Sequence, residues 1–140
     1  MKRRTRLALF AALVAAVSVS SAALAAGTGS AVSLQIKTQS KNLFGPKKVH
    51  GERGWIRKGG MPAGVCSGTS GAGALDAATH GRWTATYYPS LHDVFITSIF
   101  GVKAKKPTFW GVFVNGKPAS SGVCGVHLRR GEKLLLKITK

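Results

Sequence analysis

The stretch FWGVFVNGKPASSGVCG, Phe109 to Gly125, constrains this chain more than any other. Apolar residues alternate over Thr108 to Val114, which reads as a strand with Trp110, Val112 and Val114 on one face. Asn115-Gly116 follows it. That pair is a strong short-range hairpin signal, because both central residues of the favoured turn need positive φ. The arm beyond the turn ends at Cys124, one of two cysteines. The other, Cys66, stands just before GTSGAGALDAATHG, the one convincing helix. Together they call for a small sheet-plus-helix domain whose helix start is tied to its last loop.

Residues 1–25 read as a secretory signal. Lys2, Arg3, Arg4 and Arg6 form a positive head, Leu7 to Val19 is an apolar run short for a bilayer span, and Ala23-Leu24-Ala25 offers small residues for cleavage. Arg3-Arg4 resembles a twin-arginine signal, but Arg6 occupies a position where that motif prefers Phe or Leu. Residues 26–31 are then a short lead-in and 32–140 one domain, with no later apolar segment to span a membrane. The product is expected outside the cytoplasm, where two cysteines are expected to pair. The alternatives are two free thiols or half of a metal site. His50, His80, His92 and His127 are scattered, and none stands at metal-ligand spacing.

Charge restricts the partners. Without the leader, 17 Lys and Arg face four acids, Glu52, Asp76, Asp93 and Glu132, a net charge near +13. Such an excess favours polyanions such as envelope polymers or released nucleic acid, or else simply solvates the surface. Lys103, Lys105 and Lys106 form the densest basic run and are the candidate anion contact.

The remaining pattern is strands, one helix, then strands. Val32, Leu34 and Ile36 alternate with polar residues and predict a half-buried strand. Lys41 to Pro46 reads as a turn-bearing connection, and Val49 to Arg57 as a returning strand weakened by Gly51 and Gly54. Gly59 to Pro62 breaks the chain. Ser70 to Thr79 is the predicted helix, capped by Thr69 or Ser70, ended by Gly81 and anchored by Leu75. Trp83 to Tyr88, Val94 to Phe100 and Leu134 to Ile138 complete the strands.

Two segments carry a family resemblance: CSGTSGAGALDAAT, Cys66 to Thr79, and FWGVFVNGKPASSGVCGVHLRRGEKLLL, Phe109 to Leu136. They resemble the bacterial domains similar to the C-terminal domain of transcobalamin. The shared features are Ala74-Leu75-Asp76-Ala77, a Trp-bearing strand from Trp110 to Gly116 that ends in VNG, the Ala119 to Gly122 step, and Gly131-Glu132 before the last strand. The resemblance spans about residues 32 to 139. It implies an α+β fold of soluble-ligand-binding β-grasp type, a mixed sheet gripping one short helix, and a non-enzymatic role. In transcobalamin proteins the vitamin lies between this small domain and a large helical barrel, for which this chain is too short. Gly111 also interrupts what is often a denser aromatic run. A corrinoid would therefore need a partner chain.

No catalytic residue emerges. Gly68-Thr69-Ser70-Gly71-Ala72 matches a subtilisin-like GTSxA string, but Asp and His should precede that serine, and both aspartates follow it. Gly111 to Lys117 fits GxxxxGK by letter, yet Pro118 replaces the Ser or Thr that holds magnesium. Glu52 or Glu132 with Asp93 could form a carboxylate pair, but turn and strand-start positions favour surface roles for them. Alternation puts Phe109 and Trp110 on opposite faces, so one of them lies outside the main core. Trp110, Phe109, Asn115 and Gly116 are the candidate ligand contacts. The expected function is an exported, non-catalytic binding module for an unknown small ligand. Alternatives are polyanion binding, and corrinoid binding with a partner.

Overall fold

The computed structural model describes residues 29–61 and 63–140. The expected secretory signal, residues 1–25, lies outside the described residues, as does Pro62.

The main sheet has five strands in the order β2-β1-β10-β8-β9: β1 Ala31–Lys37, β2 Asn42–His50, β8 Phe109–Val114, β9 Lys117–Pro118 and β10 Lys133–Thr139. β1 and β10 run parallel and the other neighbours antiparallel, so the sheet is mixed. A two-stranded sheet (β3 Trp55–Lys58, β4 Gly64–Ser67) and a three-stranded one (β5 Trp83–Tyr88, β6 Asp93–Ile99, β7 Val102–Lys103) close the other side. The helix α1, Gly71–Thr79, lies between. This is the α+β arrangement of one mixed sheet around one short helix.

The period-two pattern of β1 does what it predicts. Val32, Leu34 and Ile36 are buried and face Leu134 and Leu136 of β10 and Leu75 of the helix in a single core. Burying each such side chain contributes roughly 1.5–3 kcal/mol. Alanine at Ala72, Ala74 and Ala78 lets the helix lie close to its neighbours. Gly73 is needed for the same reason: a Cβ there would stand 1.7 Å from the Gly68 carbonyl oxygen. Asn115 and Gly116 both take positive φ, 51° and 82°, and join β8 to β9 with Val114 opposite Lys117. That is the two-residue hairpin expected of Asn-Gly.

Two sequence expectations are corrected. Lys41 to Pro46 is not a connection: Asn42–His50 is one strand at the sheet edge, with register shifts opposite Gln35 and before Lys37. Proline is tolerated there because an edge strand loses no ladder bond when one N–H is missing. Val49 to Arg57 is not one strand either. It divides into the end of β2 and β3, with a turn near Gly54 between them.

Candidate functional site

The segment after the hairpin, Ala119 to Val126, is irregular in conformation yet firmly held. Cys124 is disulfide-bonded to Cys66, with Cα atoms 4.8 Å apart. Val126 and Val123 carbonyls accept the Gly71 and Ala72 N–H groups at 2.9 and 3.0 Å. These are first-turn donors that a helix cannot satisfy internally. The same loop therefore closes the helix N-terminus.

The third tie is Asp93. The carboxylate is buried; Oδ1 accepts from the Val94 and Cys124 N–H groups at 2.8 and 3.0 Å, and Oδ2 from the Gly125 N–H at 3.3 Å. The surface role expected of Asp93 is thus overturned. Two of its three donors come from residues about thirty positions away, which no local pattern reveals. Gly122 packs directly on this carboxylate, and a Cβ there would stand 2.6 Å from Oδ1.

This anchored segment forms one wall of a two-part groove. The larger part, about 510 Å3, lies along β8 between Phe109, Trp110, Gly111 and Phe113 on one side and Phe95, Ala119, Ser121 and Gly122 on the other. The smaller, about 270 Å3, continues past Phe95 and Gly122 to Tyr88, Leu91 and Asp93. Both lie within or near the size range of small-molecule sites. Tyr88, Leu91, Phe95 and Phe109 leave large apolar surface exposed around it. The Phe95 and Phe109 rings face each other with centroids 6.4 Å apart. Single exposed apolar residues are ordinary on a surface, but a cluster beside a hollow marks an interaction surface.

The expected ligand contacts divide. Phe109 stands at the groove rim, 38% exposed, while Trp110 is 3% exposed and belongs to the core. The Trp110 Nε1–H is already donated to the Val102 carbonyl at 3.1 Å. Asn115 and Gly116 do not line the groove. The Asn115 Oδ1 accepts from the Lys133 N–H at 2.9 Å, so its amide serves the turn. Lys103 ends β7, and Lys105 and Lys106 follow in the connection before β8, where Thr108 donates back to the Lys105 carbonyl. They form no part of the groove. Phe95 and Leu91 carry no site signal in the sequence, and Tyr88 reads there only as one of the strand aromatics. They come from the end of β5, the turn Pro89–Leu91 and β6, and no local pattern shows that these share a hollow with β8.

Ser70 is fully buried at the helix start. Its Oγ–H donates to the Ser67 carbonyl at 2.6 Å, and its Oγ accepts from the Ala72 N–H at 3.2 Å. It is a helix cap with its hydroxyl fully used. Among the described residues no three His, Cys, Asp or Glu side chains are grouped to hold a metal ion. No described helix is long and apolar enough to cross a membrane.

Residues 72–140 match the family described as Domain of unknown function (DUF4430). Among solved structures, haptocorrin in complex with Cbi is similar with a TM-score of 0.56 and 19% identity, over 79% of this chain and 25% of that one. A protein of Ruminococcus gnavus ATCC 29149, described as a "putative metal binding protein", is similar with a TM-score of 0.51 and 10% identity, over 79% of this chain and 97% of that one. At these identities the likeness is one of fold, and this chain spans about a quarter of the haptocorrin chain. No curated protein matches the chain in sequence.

Proposed function

We propose, from the premise that the chain carries over residues 72–140 a DUF4430 domain of the transcobalamin-like family, that it is an exported, non-catalytic module that binds a small ligand in the groove between β8 and the Ala119–Gly122 wall. The observation that carries this reading is the cluster of Phe95 and Phe109 with Leu91 and Tyr88 around a hollow with a firmly anchored wall. Pre-set walls reduce the ordering cost of binding. The two phenylalanines supply apolar area, and the Ser121 hydroxyl is a polar group that can orient a ligand.

The likeness to haptocorrin makes a corrinoid the first ligand to try. The residues present fit one edge of such a flat macrocycle by apolar packing. They include no histidine in the groove to ligate its metal. The groove is open to one side, so tight corrinoid binding requires a second surface from a partner chain. Export is supported by the disulfide and by the reading of residues 1–25.

The test is calorimetric titration of the purified protein with cobinamide and cobalamin, alongside Phe95→Ala and Phe109→Ala. The expected result is weak binding alone, reduced about tenfold by either substitution, since each ring contributes on the order of 1–2 kcal/mol of apolar contact. Binding that both variants retain at full strength would remove the groove as the site. Absence of corrinoid binding, with some other apolar compound displaced by the same substitutions, would keep the groove and discard the corrinoid.

A further inference from the structure

The strands that bury Val32, Leu34, Ile36, Leu134 and Leu136 on one side of the main sheet present lysines on the other. Lys48 and Lys133 both stand opposite Ser33, one from each neighbouring strand, so they share a row across β2, β1 and β10. Four residues further along, Lys37 and Lys137 are direct cross-strand partners. At roughly 3.3 Å per residue the two rows lie about 13 Å apart. Leu135 and Phe113, on this same side, lie outside the core cluster, as expected of a face covered by no second layer.

This face has no counter-charge of its own. The five strands of the sheet contain no Asp or Glu. Glu132 adjoins Lys133, but its carboxylate accepts from the Arg129 N–H at 2.7 Å and the Asn115 Nδ2 at 3.4 Å. Among the described residues the ion pair found is Lys58 with Asp76, elsewhere in the fold. Like charges placed directly opposite on neighbouring strands destabilise a sheet. Lys37 beside Lys137 is such a load, and an anion seated between them relieves it.

Phe113 decides which anion. A Cβ on Gly111 would meet the edge of the Phe113 ring at 3.0 Å, so the ring packs on that backbone, and Lys137 Nζ stands 4.5 Å from the ring centroid. The ring holds an ammonium group and otherwise lines the groove, and the Lys37–Lys137 and Lys48–Lys133 rows themselves contain no aromatic side chain to stack on a base. Single-stranded nucleic-acid platforms rely on open aromatic faces. We infer that the outer face of this sheet binds a flexible, base-free phosphodiester polymer of the poly(glycerol phosphate) class, its phosphates seated on the Lys37–Lys137 and Lys48–Lys133 rows. Phe113 also lines the groove, but the four lysines do not, so the tests of the two sites use different side chains.

The probe is poly(glycerol phosphate), titrated into the purified protein at several salt concentrations. Four contacts on a flexible polyanion, each releasing about 0.7 counterion, predict a loss of affinity of roughly 50-fold between about 50 and 200 mM salt. Replacing Lys37, Lys48, Lys133 and Lys137 by Gln should abolish most of that salt dependence, whereas replacing Lys103, Lys105 and Lys106 by Gln should preserve it. The reverse order, or equal losses, would overturn the assignment to this face. Single-stranded DNA of matched charge that binds as tightly as the polymer would overturn the choice of a base-free chain. Lys37→Glu gives a check independent of folding defects. It should raise the melting temperature without polymer, by pairing with Lys137, while weakening polymer binding at least tenfold. A higher melting temperature with unchanged affinity would sink the proposal.

Discussion

The two ends of the described α-helix are held by different physics. At the N-terminus the ties are covalent or made to backbone: the Cys66–Cys124 bond, the Val123 and Val126 carbonyls on the first-turn N–H groups, and Asp93 gripping the loop that supplies them. At the C-terminus side chains dominate. Lys58 Nζ donates to the Gly81 and Trp83 carbonyls at 2.9 and 3.1 Å, lies 5.0 Å from the Trp83 ring centroid, and sits 3.7 Å from Asp76 Oδ1. Asp76 Oδ1 in turn accepts from the Trp83 Nε1–H at 2.6 Å. The first end is buried and shapes a groove wall. The second is partly exposed and borders no part of the groove. The difference teaches that the firmer ties are concentrated at the groove wall, and that the opposite end is fastened by weaker, screened contacts.

The largest effect should come from the covalent tie. Cys66 and Cys124 are 58 residues apart, and closing a loop of that length contributes about 4 kcal/mol in the chain-entropy account. Denaturant unfolding of Cys66→Ser with Cys124→Ser against the oxidised protein should show a loss of that order. Thiol labelling of the denatured, unreduced protein should find no free cysteine. Two labels per chain, or a loss below about 1 kcal/mol, would mean the two helix ends are held more equally than their contacts indicate.

Asp93 comes next. Hydrogen bonds to a charged group are worth about 1.5–3 kcal/mol each, and removing this acceptor leaves the half-buried Cys124 N–H without its partner, while the exposed Gly125 N–H keeps the Gly122 carbonyl at 3.1 Å. Asp93→Ala should therefore cost about 3 kcal/mol, and Asp93→Asn less, since one acceptor oxygen remains. Hydrogen exchange offers a local reading. The Cys124 amide should speed up in Asp93→Asn while the Leu134 and Leu136 amides, in the sheet, do not. Uniform acceleration would deny Asp93 its particular hold on the groove wall.

Much of this contrast was out of reach of the sequence, for reasons that differ by residue. The strand from Ala31, the Ser70 cap, the Asn115-Gly116 turn and the closing strand are local features whose residues state their own conformation, and all four were legible. Asn42–His50 was hidden because Gly45-Pro46 signals a turn in isolation, whereas a sheet edge can absorb both as an irregular register. β4, Gly64–Ser67, is four residues with a glycine and shows no alternation to read. Asp93 reads as a surface acid because a carboxylate at a strand start usually is one. Its partners are set by tertiary structure. Of the expected ligand contacts, Phe109 reaches the groove rim by simple alternation, but the residues that complete the hollow come from β6 and the Ala119–Gly122 segment. That meeting is written in topology rather than in any motif.

The smallest expected effect tests the weaker end. The Glu52 carboxyl is pushed above its ordinary value of 4.5, first by burial, which disfavours the charged form, and then by the nearby Asp76 carboxylate; His80 opposes the shift. The folded state therefore holds this proton more tightly than the unfolded chain does. The resulting stability is fully present below the unfolded value and is lost as pH rises through the folded one. Glu52→Gln removes the ionisation, so wild type and variant should diverge as pH rises through that window, the variant gaining relative stability. Because Glu52 is only partly buried, solvent screening holds the gain below about 0.5 kcal/mol. Urea unfolding of both proteins at pH values on either side of the window measures it. The opposite sign, with wild type gaining as Glu52 ionises, would mean that a cation stabilises this carboxylate. Lys58 would then be shared between Glu52 and Asp76, and the C-terminal end of the helix would be more tightly fastened than its contacts indicate.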